Sequence, residues 1–166
     1  LIPAGEKLAE LLEMPIKFSD NCVSSDARDV SLGLKPGEVH LLENLRFHDD
    51  ETKNDKRFSY QLSKHGEIYI NDAFGTAHRA HASNVGVVEY FSKKGMGFQI
   101  EKELQFLNSV IRNPQRPLTL ILGGAKIGGK LELINTFIHE ADSILIGGGM
   151  AFTFLKAKGL DVGASI

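Results

Sequence analysis

Leu118-Thr119-Leu120-Ile121-Leu122-Gly123-Gly124-Ala125-Lys126-Ile127-Gly128-Gly129-Lys130 is the stretch on which the fold of this 166-residue chain turns. Leu118 to Leu122 is an apolar run of strand length. The glycines after it mark a loop. Leu131, Ile134, Phe137, Ile138 and Ala141 then recur at helical spacing, which predicts a helix from about Gly129 to Ala141 with those residues inward. The pattern repeats at once. Ser143 to Ile146 reads as a strand, Gly147-Gly148-Gly149 as its loop, and the helix after it carries Phe152 and Leu155. Strand, glycine loop and helix in succession predict a mainly parallel α/β sheet with helices on both faces. In such sheets ligands gather at the carboxyl ends of the strands.

Working outward, Val39 to Leu42 and Ile68 to Asn71 are further strands, and Lys7 to Leu12 is the end of a helix with Leu8, Leu11 and Leu12 on one side. Asp20 to Gly37 is polar and reads as a long connection. A helix is predicted over Lys53 to Lys64, with Asp49, Asp50 and Thr52 as caps, Phe58 and Leu62 on one face, and Gly66 as the stop. Gly95-Met96-Gly97 interrupts the chain. Ile100, Leu104, Leu107 and Ile111 predict a helix from Gln99 to Ile111, which Asn113-Pro114-Gln115-Arg116-Pro117 ends. A domain boundary is expected there. The chain shows no internal repeat.

A net charge of −2 gives no general attraction for nucleic acid, so any anion site must come from local clusters. A single cysteine, Cys22, allows no intrachain disulfide and fits a reducing compartment. No apolar run approaches the length of a bilayer span, and no signal peptide is visible at the start. The first residue is Leu1, as expected of a chain that begins inside a longer protein.

Four segments could carry chemistry. Gly124 through Lys130 fits G-x-x-x-x-G-K, in which backbone amides and a lysine cradle phosphate. Leu131 stands where a magnesium-binding Ser or Thr would follow, which argues against a true P-loop. The plain alternative is a tight turn with solvated lysines. Gly147-Gly148-Gly149-Met150-Ala151 allows backbone to press against a ring or phosphate, or simply to pack closely. Arg46 follows a strand and Arg79 lies in the loop after another, where a guanidinium can clamp carboxylate or phosphate. A surface ion pair is the alternative, with Glu43 the local partner for Arg46. His78 and His81 would suit zinc if helical, yet no third ligand accompanies them. Cys22 reads as an incidental thiol.

Five segments, in order, resemble phosphoglycerate kinases. They are Leu41 to His48, Asn71 to Ser83, Glu101 to Leu104, Leu122 to Lys130, and Gly147 to Lys156. The resemblance runs from Leu1 to Ile166. It implies Rossmann-like parallel sheets in a two-domain kinase fold, incomplete in this chain. Residues 1–98 would be part of the N-terminal phosphoglycerate-binding domain, 99–113 the interdomain hinge helix, and 114–166 the start of the C-terminal nucleotide-binding domain. The activity implied is reversible phosphoryl transfer between 1,3-bisphosphoglycerate and ADP, giving 3-phosphoglycerate and ATP, with Mg2+ as cofactor. A cytoplasmic location, a monomer at full length, and no nucleic-acid or membrane partner go with it.

The same resemblance assigns roles. Arg46 and Arg79 would bind the phosphoglycerate. Gly124, Ala125, Lys126 and Lys130 would contact the nucleotide, with Gly148 and Gly149 near the adenine. Lys126 would be catalytic, neutralising the phosphoryl group in flight. No residue is assigned as a metal ligand. Members of the family are well over twice this long. An Asp-x-Asn substrate motif, the key catalytic Arg and later glycine loops have no counterpart here. Many members carry an Asp, associated with the metal, where this chain has Gly129. The chain alone is therefore expected to be inactive. A non-catalytic nucleotide- or phosphate-binding module and an inert remnant of the enzyme are the alternatives.

Overall fold

The computed structural model describes residues 1–125 and 127–165. The chain divides into two compact units, Leu1–Gln105 and the part from Phe106 onward.

The first unit contains α1 (Ile2–Leu12), β1 (Ile16–Ser19), α2 (Ser25–Leu32), β2 (Val39–Leu42), α3 (Asp49–Thr52), α4 (Lys56–Leu62), β3 (Ile68–Asn71) and β4 (Lys93–Met96). α5 (Phe98–Arg112) follows and crosses the division. β1 and β2 pair in parallel with Ile16 opposite Val39, and β3 and β4 pair in parallel with Ile68 opposite Lys93. Cys22, Phe58, Leu62, Ala82 and Val87 form the core, with Leu42, Tyr69 and Phe91 packed against it. Cys22 is a fully buried core residue.

The predicted strands Val39–Leu42 and Ile68–Asn71 are present, and α5 extends the predicted helix by one residue at each end. Three readings need correction. Asp20 to Gly37 is not all connection, because it holds α2. Ser24 caps that helix by accepting from the Ala27 amide, and the helix buries Ala27 alone, so its polar sequence gave no apolar stripe. The predicted helix over Lys53 to Lys64 is broken. Asn54 takes a left-handed conformation (φ 55°), and Asp55 is the cap of α4, accepting from the Phe58 amide. Gly95 and Met96 do not interrupt the chain but belong to β4. All four of its residues are exposed, so backbone pairing with β3 makes the strand, with no apolar pattern to announce it.

The second unit contains β5 (Thr119–Leu122), α6 (Leu131–Phe137), β6 (Ser143–Ile146) and α7 (Gly149–Ala157). β5 and β6 pair in parallel with Thr119 opposite Ser143. Leu122, Ile134 and Met150 are its core. Asp142 joins the approaches to the two strands. Its Oδ2 accepts from the Leu118 amide at 2.6 Å and from Arg116 Nη1 at 3.0 Å. α6 is shorter than predicted: a 3-10 turn over Gly128–Lys130 precedes it, and it ends at Phe137. Along this stretch Ile134 is buried and Phe137 partly so, but Leu131, at the helix start, and Ile138, just beyond its end, are exposed, contrary to expectation.

Candidate functional site

Each unit carries its own cluster at the carboxyl ends of its strands. In the first, Arg46 follows β2 in the 3-10 turn Leu45–Phe47. Asn44 begins that turn by accepting from the Arg46 amide at 3.0 Å. Arg46 lines a groove of about 830 Å3, together with Leu42, Glu51, Tyr69, Thr76 and Ser83. Its expected partner Glu43 makes no ion pair with it, and the Glu43 carboxylate accepts from the Asn44 amide at 2.6 Å. The acid beside Arg46 is Glu51, with Oε1 3.8 Å from the guanidinium Nε.

Arg79 lies in the loop after β3 and is exposed. Its backbone is fixed. The Arg79 amide donates to the Thr76 carbonyl, and its own carbonyl accepts from the His81 amide and from Asn84 Nδ2, all at 3.0 Å. Ser83 ends the loop with every polar group held. Its amide donates to Glu51 Oε2 at 2.9 Å, its hydroxyl donates to Glu51 Oε1 at 2.6 Å, and its carbonyl accepts from the Tyr69 hydroxyl at 2.7 Å.

His78 and His81 do not share a helix. The chain between the 3-10 turn Phe74–Thr76 and the helical turn that begins at Ala82 is irregular, which removes the premise of the zinc reading. His78 is exposed beside Arg79, while His81 is nearly buried, with Nδ1 3.9 Å from Glu51 Oε1. Among the described residues no three His, Cys, Asp or Glu side chains are grouped to hold a metal.

A second polar chain runs behind β2. Ser31 Oγ lies 2.8 Å from His40 Nδ1 and 2.7 Å from His65 Nδ1. His40 Nε2 meets Ser19 Oγ at 2.8 Å, and His65 Nε2 donates to the Cys22 carbonyl at 2.8 Å. That carbonyl can only accept, so the neutral chain has one proton order. Ser31 donates to His65, His40 donates to Ser31, and Ser19 donates to His40. Burial lowers both imidazoles. The charges of His65 and Lys17 add to this at His40, and that of Arg28 at His65, where the bond to Cys22 works in the opposite sense. Burial, with Glu43 and Glu51, pushes the Cys22 thiol up to about 11.

In the second unit the two glycine loops interlock. Gly124 has φ +140° and Gly148 has φ +65°. A Cβ on Gly148 would lie 3.0 Å from the Gly124 nitrogen, and one on Gly149 would lie 3.1 Å from Ala125 Cα. Gly147 donates to the Leu122 carbonyl at 2.8 Å and Met150 to the Gly124 carbonyl at 2.9 Å. Lys130 folds back over the same loop, with Nζ 2.6 Å from where a Gly124 Cβ would stand. Five of the residues singled out from sequence, Gly124, Ala125, Lys130, Gly148 and Gly149, are thus brought together. Lys126, read as the catalytic residue, lies outside the described residues.

The family profile described as phosphoglycerate kinase matches residues 1–166. The chain belongs to the phosphoglycerate kinase family. It is 49% identical, over its whole length, to the phosphoglycerate kinase of Chlorobium phaeobacteroides strain BS1 and 50% identical to that of Prosthecochloris aestuarii. It spans 42% of the length of each. Among solved structures, the phosphoglycerate kinase of Pyrococcus horikoshii matches 97% of the chain with a TM-score of 0.86 at 34% identity, the chain covering 42% of that protein. The Coxiella burnetii enzyme matches 98% of the chain with a TM-score of 0.77 at 32% identity, with 40% of its own length covered. The parallel α/β architecture inferred from the glycine-punctuated strands is that of these phosphoglycerate kinases.

Glu51 and Asn84 were not singled out in the sequence, and Tyr69 and Ser83 were read only as part of a strand and of the loop segment after it, with no role of their own. Glu51 follows Asp49 and Asp50, and such a run ordinarily reads as a solvated helix start. Its only distinguishing property is burial, at 1% exposure.

Proposed function

We propose that this chain is the central part of a phosphoglycerate kinase, acting in reversible phosphoryl transfer between 1,3-bisphosphoglycerate and ADP to give 3-phosphoglycerate and ATP. The observation that carries the reading is the pairing of two anion-suited clusters with two separate units. Arg46 and Arg79 follow parallel strands of the first unit, and Lys130 lies over Gly124 in the second. Arg46 and Arg79 bind the phosphoglycerate. Gly124, Ala125, Lys126 and Lys130 meet the nucleotide, Gly148 and Gly149 lie near its base, and Lys126 neutralises the moving phosphoryl group. Residues 1–98 serve the phosphoglycerate, 99–113 the hinge and 114–166 the nucleotide. The whole enzyme is a cytoplasmic monomer.

The attacking oxygen of ADP or of a carboxylate is already ionised. No general base is needed, and catalysis rests on positioning and charge stabilisation. Arginines, a lysine and glycine backbone supply both. Magnesium enters this chemistry with the nucleotide phosphates. The described residues offer it no ligand cluster, and Gly129 has no side chain to give. With less than half of the enzyme's length, the chain alone is expected to be inactive.

Calorimetric titration of the 166-residue chain with 3-phosphoglycerate and with MgADP tests the reading. Saturable binding of each is expected, the first lost in Arg46→Ala and the second in Lys130→Ala. Absence of saturable binding for both ligands overturns the assignment of these residues.

A further inference from the structure

Glu51 is the most deeply buried charged side chain among the described residues, and its surroundings explain why a carboxylate is there. Burying an unpartnered carboxylate costs several kcal/mol, so both oxygens must be employed. Two hydrogen bonds come from Ser83, as described. Beyond these, Oε1 faces Arg46 Nε at 3.8 Å and His81 Nδ1 at 3.9 Å. One side chain therefore touches the arginine that leaves β2 and the end of the loop that bears Arg79.

Holding Ser83 does not require a charge. A glutamine would accept from the Ser83 amide with its oxygen and donate to the Ser83 hydroxyl with its nitrogen. What only the carboxylate supplies is attraction for the guanidinium. That attraction acts on the Nε side of Arg46 and leaves the two Nη groups without an acidic partner within 4 Å among the described residues. Arg46 is about one-third exposed, and among the described residues it has no other acidic side chain within 4 Å. At 3.8 Å the contact is an ion pair without a hydrogen bond. Its attraction favours one orientation of a long, rotamer-rich side chain before any ligand arrives, which reduces the ordering cost of binding.

We propose that Glu51 is a positioning residue for the phosphoglycerate site. Its charge orients the Arg46 guanidinium, and its bonds to Ser83 tie that arginine to the Arg79 loop. The proposal rests on the reading of Arg46 and Arg79 as the phosphoglycerate ligands. It makes a discriminating prediction, because simple Coulomb attraction points the other way. Removing a negative charge near an anion site should strengthen anion binding. Loss of orientation should weaken it.

The test uses 3-phosphoglycerate with the 166-residue chain and the variants Glu51→Gln, Arg46→Ala and the double variant. Glu51→Gln is expected to weaken binding about tenfold, the scale of re-ordering one long side chain. Arg46→Ala should then cost clearly less in the Glu51→Gln background than in the wild type. Equal or tighter binding by Glu51→Gln, or strictly additive losses, would overturn the proposal.

A second readout does not depend on the ligand. The Nε–Hε group of Arg46, followed by nitrogen-15 relaxation, should become more mobile in Glu51→Gln while the Ser83 amide stays protected from exchange. If the wild type binds no 3-phosphoglycerate, the ligand assignment fails, and this relaxation result alone decides whether Glu51 orients Arg46. An unchanged Arg46 signal refutes it. Should Glu51→Gln not fold, Glu51→Asp keeps the charge but withdraws it by one methylene. The same mobility is then expected, and its absence counts equally against the proposal.

Discussion

Replacing Gly148 with alanine should loosen the second unit far more than the same change at Gly147. Gly148 has φ +65° and ψ −161°, a region that essentially only glycine adopts. Forcing alanine there costs about 1–3 kcal/mol from the backbone alone. The new Cβ would also stand 3.0 Å from the Gly124 nitrogen and 3.2 Å from its carbonyl oxygen. These are backbone atoms at the end of β5, and overpacking of that kind adds about 1–3 kcal/mol. Even the lower bound of the sum, about 2 kcal/mol, is roughly a thirty-fold change in an opening equilibrium. At Gly147 the nearest atom to a Cβ is the Leu122 carbonyl oxygen at 3.9 Å, an ordinary contact. Native-state hydrogen exchange at the Met150 amide, bonded to Gly124, reads the difference. Gly148→Ala should speed its exchange at least about thirty-fold beyond Gly147→Ala. Equal rates in the two variants would show that the loops do not interlock as described.

The half-buried His40–Ser31–His65 chain makes stability depend on pH. Both imidazoles are lowered in the folded state, so the unfolded chain binds more protons just below the ordinary value of about 6.5. Stability should be complete above that pH and fall as pH drops from it toward the folded-state values. Glu38 and Asp142 are lowered carboxyls whose contribution fades only in a more acidic window, below their ordinary 3.8 to 4.5. Urea midpoints for the first unit that do not change between pH 7.5 and 5.5 would refute the histidine reading. Phe58→Ala, at 3% exposure in the core of the first unit, should cost about 3–5 kcal/mol, measured by urea unfolding. Cys22, fully buried and with its thiol raised to about 11, should react with a disulfide reagent only at the rate at which the first unit opens. Prompt modification of the folded chain would contradict that burial.

The strands that the sequence announces are those with apolar runs closed by glycine or a polar loop, such as Val39–Leu42, Ile68–Asn71 and Ser143–Ile146. β4 was hidden because Lys93, Lys94, Gly95 and Met96 pair through their backbones and bury nothing. α2 was hidden because a helix that buries a single alanine has no apolar stripe. At the sites, glycines and cations were visible in the sequence because their types suit anion binding. Their supports were not. Glu51 resembles its acidic neighbours, and only the fold separates the one that is buried from those that are solvated. The partner of Arg46 was misjudged for the same reason. Glu43 is nearer in sequence, but its carboxylate accepts from the Asn44 amide, and Glu51, five positions beyond Arg46, takes its place.

The division at Gln105 has a spectroscopic consequence. The chain has no tryptophan, and its three tyrosines, Tyr60, Tyr69 and Tyr90, all precede that point. Tyrosine emission therefore observes one unit, and the other is silent to it. Tyr60 and Tyr90 meet edge to face at 5.4 Å between ring centroids, and Tyr69 is bonded to the end of the Arg79 loop. The emission thus reports on the same packing that supports the arginine cluster. Far-ultraviolet circular dichroism sees helices in both units. A difference between the two melting curves would measure how independently the halves of this chain unfold, with no label attached to either.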